Sequence, residues 1–334
     1  MLDRPKSPSE SSAMDETKPP PPAGPDSVPP ETAQAEPIAV QAEPATDGAT
    51  PAAPVKPVKV KKEETWWDTL RFLLYLFLGA VLLRTFLFAP FSIPSGSMMP
   101  NLLVGDYLFV SKWSYGYSRY SFPFHPINFS GRLLGGTPER GDVVVFRHPT
   151  TGDDWVKRVI GLPGDTIEVR DGQVILNGQP VPRERMDPFD LPVSPNSPCR
   201  PADSAVLNAA RSDIVVRQDV RADGTHCLYP RFRETLPGGR SYEVLDQGDS
   251  PGDNFAVGEP ITVPPGHLFM MGDNRDDSLD SRFSTQQHGV GYLPIDNALG
   301  RATIGFWSTD GSAEWIKPWT WFTAARWGRL GQTY

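Results

Sequence analysis

The stretch DTIEVRDGQVILNGQPV, residues 165–181, decides the fold class. Apolar and polar residues alternate along it, which is the pattern of strands that bury one face. Asp171-Gly172 and Asn177-Gly178 interrupt the alternation, and such dipeptides are strong signals for the tight turns of β-hairpins. The stretch therefore predicts antiparallel strands joined by short turns.

The sequence on both sides extends this β prediction. GDVVVF, residues 141–146, is a short apolar run after a turn, as in a strand that is buried on both faces. Gly and Pro interrupt the later segments, and no long amphipathic helical pattern lies between them. We expect a mainly β protein whose antiparallel sheets come from residues 91–182 and 261–310. Residues 183–260, rich in Pro, Arg and Asp, are predicted to form an inserted β subdomain.

Composition limits the function classes. The chain has 334 residues, of which 39% are hydrophobic and 22% charged, enough for one large or two moderate domains. A net charge of -8 without a concentrated basic segment argues against nucleic acid as a partner, because duplex binders need clustered Lys and Arg. The two cysteines, Cys199 and Cys227, are too few for a disulfide scaffold and lack CxxC spacing. One bridge between them, outside the cytosol, is a hypothesis.

The first third of the chain contains a tail and an apolar segment. Residues 1–62 are rich in Pro and Ala and are predicted to be a disordered cytosolic tail. Residues 66–90 contain an unbroken apolar run from Phe72 to Leu83, and about 20 residues suffice to cross about 30 Å of hydrocarbon. A buried soluble helix would show polar residues at helical spacing, and a cleaved signal peptide would be shorter. We therefore expect one N-terminal transmembrane helix over residues 66–90.

Charge on either side of this segment predicts its orientation. Lys56, Lys59, Lys61 and Lys62 precede the segment, whereas residues 87–106 after it contain no Lys or Arg. The positive-inside rule then puts the N-terminus in the cytosol and everything after residue 90 outside. Membrane lipid is accordingly an expected partner.

Two serines follow the apolar segment closely. They lie in FAPFSIPSGSMMPNLLVGD, residues 88–106, where Pro94, Gly96 and Pro100 surround Ser95 and Ser97. Taken alone, a Pro-Ser-Gly-Ser tract is typical of a capped turn. A catalytic interpretation therefore needs support from elsewhere in the chain.

A second segment, DDWVKRVIGLPGD at residues 153–165, offers a base. If residues 155–160 form a strand, Lys157 and Arg158 lie on opposite faces and one cation points into an apolar stripe. An edge strand with snorkelling cations is the ordinary interpretation. The alternative is a desolvated, neutral Lys157 that accepts a proton from a serine hydroxyl, a role closed to Arg158 because Arg is not deprotonated in proteins.

A third segment, FMMGDNRDDSLDSRF at residues 269–283, is dense in carboxylates. A calcium loop that began at Asp273 would need Gly and Glu where the chain has Ser278 and Ser284. In an extended segment Ser278, Asp280 and Arg282 share one face. Asp280 could then pair with Arg282 while Ser278 orients a neighbouring amine, and a solvated acidic loop is the ordinary alternative.

A Ser-His-Asp triad has little support in the sequence. No GxSxG nucleophile elbow is present. The histidines lie beside Pro or Gly or in polar loops, and none is in a motif that pairs with Ser97: His125, His148, His226, His267 and His288.

Taken together and in order, four motifs resemble the bacterial type I signal peptidases, or leader peptidases, a family of Ser/Lys dyad serine proteases. They are IPSGSMMPNL (93–102), GDVVVF (141–146), VKRVIGLPGD (156–165) and MGDNRDDSLDSR (271–282). The resemblance covers residues 66–180 and 262–308. It implies a plasma-membrane endopeptidase that removes signal peptides from exported preproteins, with a β-rich catalytic domain outside and no cofactor or metal. One transmembrane segment, where the best-known pattern has two, is a departure from the family.

The resemblance also implies residue roles. Ser97 would be the nucleophile and Lys157 the general base, with an oxyanion hole made by the Ser97 backbone N-H and the Ser95 hydroxyl. Ser278 would orient the Lys157 amine, and Asp280 with Arg282 would brace that loop.

Six further positions would line pockets for the small side chains of an Ala-x-Ala cleavage site. They are Phe91, Ile93, Met98, Leu102, Trp155 and Val156.

Two alternatives stay open at this point. One is another Ser/Lys hydrolase, such as a pilus-processing or repressor-like peptidase, although no DNA-binding domain is visible. The other is a non-catalytic membrane-anchored β scaffold, against which the intact Ser97, Lys157 and Ser278 weigh.

The C-terminal segment, residues 311–334, combines four tryptophans with basic residues. Aromatic and basic residues together suit a headgroup layer, so we expect this segment to help dock the catalytic domain on the bilayer. Ordinary packing against the β domain is the alternative.

Overall fold

The structure is a computed structural model that describes residues 65–122, 129–199, 221–222 and 224–334. The predicted tail over residues 1–62 lies outside these ranges, as do the lysines used for the orientation argument.

Helix α1 spans Trp66–Phe86, and its side chains are almost all exposed. Its 21 residues give a length of about 32 Å, enough to cross a bilayer core. Because only Gly79 and Thr85 are shielded along it, α1 is not a core helix of the described domain. The helix ends before the predicted residue 90, because Pro90 disfavours a helical conformation at the residue before it and the chain enters a strand at Phe88.

A seven-stranded antiparallel sheet follows the helix and carries the candidate site. With strands numbered in chain order, its spatial order is β1 (Phe88–Ser92), β2 (Asp106–Ser111), β17 (Ala298–Ser308), β3 (Val143–Arg147), β4 (Asp154–Gly161), β15 (His267–Met271) and β16 (Leu293–Pro294). The side chains of residues 143–146 are all buried, as expected for the GDVVVF run. The expectation of a mainly β protein with antiparallel sheets is confirmed.

Three smaller antiparallel sheets complete the β structure of the described residues. The first contains β5 (Thr166–Arg170), β6 (Gln173–Leu176), β7 (Gln179–Pro180) and β14 (Ile261–Thr262). The second contains β8 (Arg183–Arg185), β12 (Arg231–Thr235) and β13 (Ser241–Leu245). The third contains β9 (Phe189–Pro192), β10 (Arg221–Ala222) and β11 (His226–Tyr229).

The opening stretch folds as its turn residues predict. Asp171 and Gly172 join β5 to β6 with φ values of 47° and 74°, and Asn177 and Gly178 join β6 to β7 with φ values of 53° and 75°. Successive left-handed conformations are those of a type I′ turn, which Asn-Gly and Asp-Gly adopt at little cost.

The predicted boundary at residues 182/183 falls inside one hydrophobic core. Ile167 and Val174, from the β5–β6 hairpin, share this core with Tyr242 and Val244 of β13 and with Phe269 of β15. The apolar inner face of the hairpin must be buried, and residues of β13, within the predicted insertion 183–260, pack against it. Residues from the 183–260 segment therefore share a hydrophobic core with the hairpin before them.

A disulfide joins Cys199 to Cys227 with a Cα–Cα distance of 5.6 Å, ordinary for such a bond. It lies in a small core with Leu191, Met99 and Leu103. After β17 the chain forms the short helix α2 (Trp319–Thr323). Single 3₁₀ turns occur at Arg119–Ser121, Thr285–Gln287, Ile295–Asn297 and Trp327–Arg329.

Candidate active site

Ser97 lies in the turn between β1 and β2, and the loop after β15 holds this turn. The Asn274 backbone N-H donates to the Ser97 carbonyl at 3.1 Å, and its side-chain amide donates to the Gly96 carbonyl at 3.2 Å. Gly272 packs against the same turn: a Cβ there would lie 2.6 Å from the Ser97 carbonyl oxygen. The serine is thus fixed by backbone contacts from a distant part of the sequence.

Lys157 reaches Ser97 from strand β4. Its Nζ lies 2.6 Å from Ser97 Oγ, and both side chains are buried, with residue exposures of 3% and 7%. A nucleophile and a base within hydrogen-bonding distance form the arrangement that covalent catalysis requires.

The environment of Lys157 favours its neutral form. Burial lowers the lysine pKa from its ordinary value to about 8, while the nearby carboxylates of Asp280, Asp277 and Asp273 oppose that fall. Desolvation is the largest of these influences on the pKa of Lys157. The Trp155 ring, whose centroid is 5.5 Å from Nζ, gives a charged amine a favourable contact after it gains a proton.

The third predicted segment is irregular rather than extended. Asp280 and Arg282 nevertheless pair, with Arg282 Nε 2.9 Å from Asp280 Oδ1 and the Gly272 N-H donating to Asp280 Oδ2 at 2.9 Å. Ser278 Oγ is fully buried beside Gly272 but makes no hydrogen bond within the described part of the chain. The predicted contact between Ser278 and Lys157 is therefore not formed in this structure.

Ser95 lies at the exposed edge of the same turn. Its Oγ is 3.5 Å from Ser97 Oγ, and the residue lines the cleft that contains Ser97 and Lys157.

This cleft has a volume of about 390 Å³. Of the six predicted pocket residues, Phe91, Ile93, Trp155 and Val156 line it. Met98 and Leu102 do not: they are fully buried and pack under Ile93 and Val156 in the core of the large sheet. They support the wall from the core, and their role in a substrate pocket stays a prediction.

Sequence reasoning missed several residues of the site. Asp153, Asp154 and Asp277 add carboxylates to the cleft lining, and Pro94, Val145 and Leu279 add apolar surface. The three carboxylates belong to the segments 153–165 and 269–283, which were already candidates for the site. That they lie together in one cleft depends on the fold and could not be seen in the sequence.

The opposite face of β4 holds a second buried cation. Arg158 contacts both oxygens of Asp273 at 2.7 Å, and Asn101 donates to Asp273 at 2.8 Å. We expected one of the two adjacent cations to point into an apolar stripe. The structure buries both of them, one on each face of β4. Arg158 and Asn101 were not predicted to act together.

Among the described residues, no histidine is hydrogen bonded to Ser97. His148 is buried and contacts the Gly289 carbonyl at 3.2 Å and the Trp155 ring, with ring centroids 4.3 Å apart.

Comparisons with known proteins identify the family of this chain. The family model described as "Signal peptidase, peptidase S26" matches residues 66–307. The signal peptidase I of Rickettsia conorii is 32% identical over 259 residues, covering 75% of this chain and 81% of its own. That of Rickettsia typhi is 34% identical over 238 residues, covering 69% and 76%. A crystal structure of a signal peptidase I from Enterococcus faecalis is 24% identical, covers 50% of this chain and 98% of its own, and has a TM-score of 0.25.

The family match spans the apolar helix and all four motifs, and the Rickettsia relatives are covered over most of their length. The chain therefore belongs to the signal peptidase family, peptidase S26, and is a serine endopeptidase that removes signal peptides from preproteins.

Proposed function

We propose that this chain cleaves preproteins after an Ala-x-Ala site with a Ser97/Lys157 dyad, while anchored in the plasma membrane by α1. The observation that carries the proposal is the 2.6 Å contact between Lys157 Nζ and Ser97 Oγ, buried in the wall of an open cleft. An edge strand with a snorkelling lysine would instead leave the amine in water.

The chemistry balances with these two side chains. Neutral Lys157 Nζ takes the proton from Ser97 Oγ, and Oγ bonds to the carbonyl carbon of the substrate. The charge that develops on the carbonyl oxygen is stabilised by the Ser97 N-H and the Ser95 hydroxyl. The lysine ammonium then protonates the departing amine as the C–N bond breaks. Water, deprotonated by the same amine, then bonds to the acyl carbon, and the ester bond to Ser97 Oγ breaks as Oγ takes back the proton from the lysine ammonium.

Ser278 has a positioning role in this proposal. Its buried Oγ lies against Gly272, which in turn packs on the Ser97 carbonyl. A hydrogen bond with the neutral amine would satisfy this hydroxyl, since leaving a buried hydroxyl without a partner is costly. Asp280 and Arg282 hold the loop that presents Ser278.

The shape of the cleft favours small substrate side chains. Ile93 and Val156 form an apolar wall that Met98 and Leu102 support from beneath, so the wall cannot recede without disturbing the core. Ala fits such a surface, whereas a large residue at the same place would clash.

Membrane placement is supported by two observations. The side chains of α1 are exposed along its length, as they are in a helix surrounded by lipid. The disulfide between Cys199 and Cys227 fits a domain outside the cytosol, where such bonds persist.

The C-terminal segment contributes to docking through its aromatic side chains. Trp315, Ile316, Trp319 and Phe322 are between 65% and 89% exposed, which is costly in water but suits a headgroup layer. Its basic residues also make contacts within the protein. Arg329 pairs with Asp106, Arg326 donates to the Val104 carbonyl and Lys317 pairs with Glu314.

The test is cleavage of a preprotein with an Ala-x-Ala site, in lipid, followed by sequencing of the new N-terminus. Wild-type protein is expected to cut after the second Ala, and Ser97→Ala and Lys157→Ala are expected to leave the preprotein intact. A Trp at either Ala position should block cleavage by the wild type. Cleavage by Ser97→Ala at the wild-type rate would show that another nucleophile is used.

A further inference from the structure

A second cavity, of about 420 Å³, opens where the large sheet meets the β12–β13 hairpin and the end of the chain. Four arginines line it, together with Tyr242 and Glu243: Arg158, Arg233, Arg240 and Arg301. We call it the arginine pocket. Ligand sites often lie at such junctions between packed units.

The carboxylates around the arginine pocket do not balance its arginines. Asp142 is shared by two of them, with Arg240 Nη1 at 2.6 Å and Arg301 Nε at 3.4 Å from Oδ1, and Glu139 also lies 3.4 Å from Arg240 Nη2. Arg233 is exposed and forms no side-chain hydrogen bond or ion pair in the described part of the chain. Glu243 is already paired with Arg231 at 3.1 Å. Arg233 is thus the arginine of this pocket that has no carboxylate partner within the described residues, and it is available to an anionic ligand.

Two of these guanidinium groups can turn towards a ligand. The side chains of Arg240 and Arg301 are 35% and 37% exposed, whereas Arg158 is fixed by its two contacts with Asp273. Guanidinium groups match the oxygens of phosphate and carboxylate in pairs. The ligand class that fits the pocket is therefore a phosphate-bearing anion.

Strand register indicates where the phosphate comes from. Arg301 on β17 pairs with Ser111 on β2, and Ser111 pairs with Phe88 on β1. Two strand spacings, about 10 Å, thus separate Arg301 from Phe88, which lies two positions after the end of α1. If α1 crosses the bilayer, its end lies at the level of the headgroups.

We propose that the arginine pocket binds the phosphate of an anionic lipid headgroup through Arg233, Arg240 and Arg301. This inference rests on the membrane placement of α1 in the proposed function but not on peptide cleavage. Its test is therefore a binding measurement, and its failure leaves the dyad untouched.

The experiment uses the full chain in detergent and counts bound lipids by native mass spectrometry. Phosphatidic acid and phosphatidylcholine are the two probes, and inorganic phosphate is the competitor. The test variant is Arg233→Gln/Arg301→Gln. A matched control, Arg170→Gln/Arg185→Gln, removes the same charge from exposed positions outside the pocket.

Wild type and control are expected to bind one phosphatidic acid at least tenfold more tightly than phosphatidylcholine, and the test variant is expected to lose that preference. Equal binding by test and control variants would overturn the proposal, as would a wild type without preference. Saturable binding of inorganic phosphate without binding of the lipid would overturn the headgroup as its source. If the double variant does not fold, Arg233→Gln alone serves, because Arg233 has no ion pair to lose within the described residues.

Discussion

Strand β4 carries two buried cations side by side, and their environments differ. Lys157 faces a serine hydroxyl at 2.6 Å, and burial lowers its pKa to about 8. Arg158, on the other face, contacts both oxygens of Asp273 at 2.7 Å, and this carboxylate raises the pKa of the guanidinium despite burial. Burial alone therefore does not make a base. Burial makes a base where the partner is a neutral hydroxyl and the cation can lose its proton.

The largest loss of activity is expected when Lys157 is replaced by the residue type found at position 158. Lys157→Arg puts a permanently charged group beside Ser97, so we expect kcat/KM for preprotein cleavage to fall by about 10³-fold or more. Lys157→Met, which has a similar length and no charge, is the control for packing. Both variants should be inactive, while Lys157→Met keeps the wild-type melting temperature more closely. Substantial activity in Lys157→Arg would exclude lysine as the base.

Removing the second cation should affect stability first. Arg158→Met leaves Asp273 buried without its partner, so we expect the free energy of unfolding to fall by about 3–5 kcal/mol, measured by denaturant titration of the full chain in detergent. The double variant Arg158→Met/Asp273→Leu removes both charges and should recover much of this loss. If the single and double variants are equally unstable, the ion pair is not what stabilises this face.

Ser278 tests how the Lys157 amine is oriented. Ser278→Ala removes one hydroxyl that we propose orients the Lys157 amine, and we expect kcat/KM to fall by about 10- to 100-fold with little change in stability. Ser281→Ala is the matched control, because the Ser281 hydroxyl accepts from the Met270 N-H at 2.8 Å and not from the dyad. An activity loss no larger than in the control would remove Ser278 from the mechanism.

The smallest expected effect is a shift in pH dependence. Asp277 lines the cleft and its carboxylate raises the pKa of Lys157. Asp277→Asn removes that negative charge, so the pKa falls and the rise of kcat/KM with pH moves below pH 8. A fall of half a unit would increase the neutral fraction of the lysine at pH 7 about threefold. A rise that stays in place or moves to higher pH would contradict this sign.

Sequence patterns predicted the parts of the molecule that depend on local order. The alternation of apolar and polar residues, with Asp-Gly and Asn-Gly turns, predicted the hairpin at residues 165–181. The same two-residue period along β4 predicted that Lys157 and Arg158 lie on opposite faces. The predicted pairing of Asp280 with Arg282 is present, although the extended backbone from which it was predicted is not.

Other features depend on tertiary packing and were beyond such patterns. The core shared across residues 182/183 forms because one sheet covers another, and the burial of Met98 and Leu102 has the same cause. Arg326 and Arg329 contact residues more than 200 positions away in sequence, which no local pattern indicates. The contact of Ser278 with the amine was predicted from the resemblance and is a proposal.

The most direct measurement is the rate at which an acylating ester modifies Ser97 between pH 6 and pH 10. We expect the rate to rise with pH and reach half of its maximum near pH 8, because the neutral amine of Lys157 must accept the proton. In Lys157→Met the rate should be close to zero throughout. A half-maximum near pH 6.5, as for a histidine base, or an unchanged rate in Lys157→Met, would contradict the dyad.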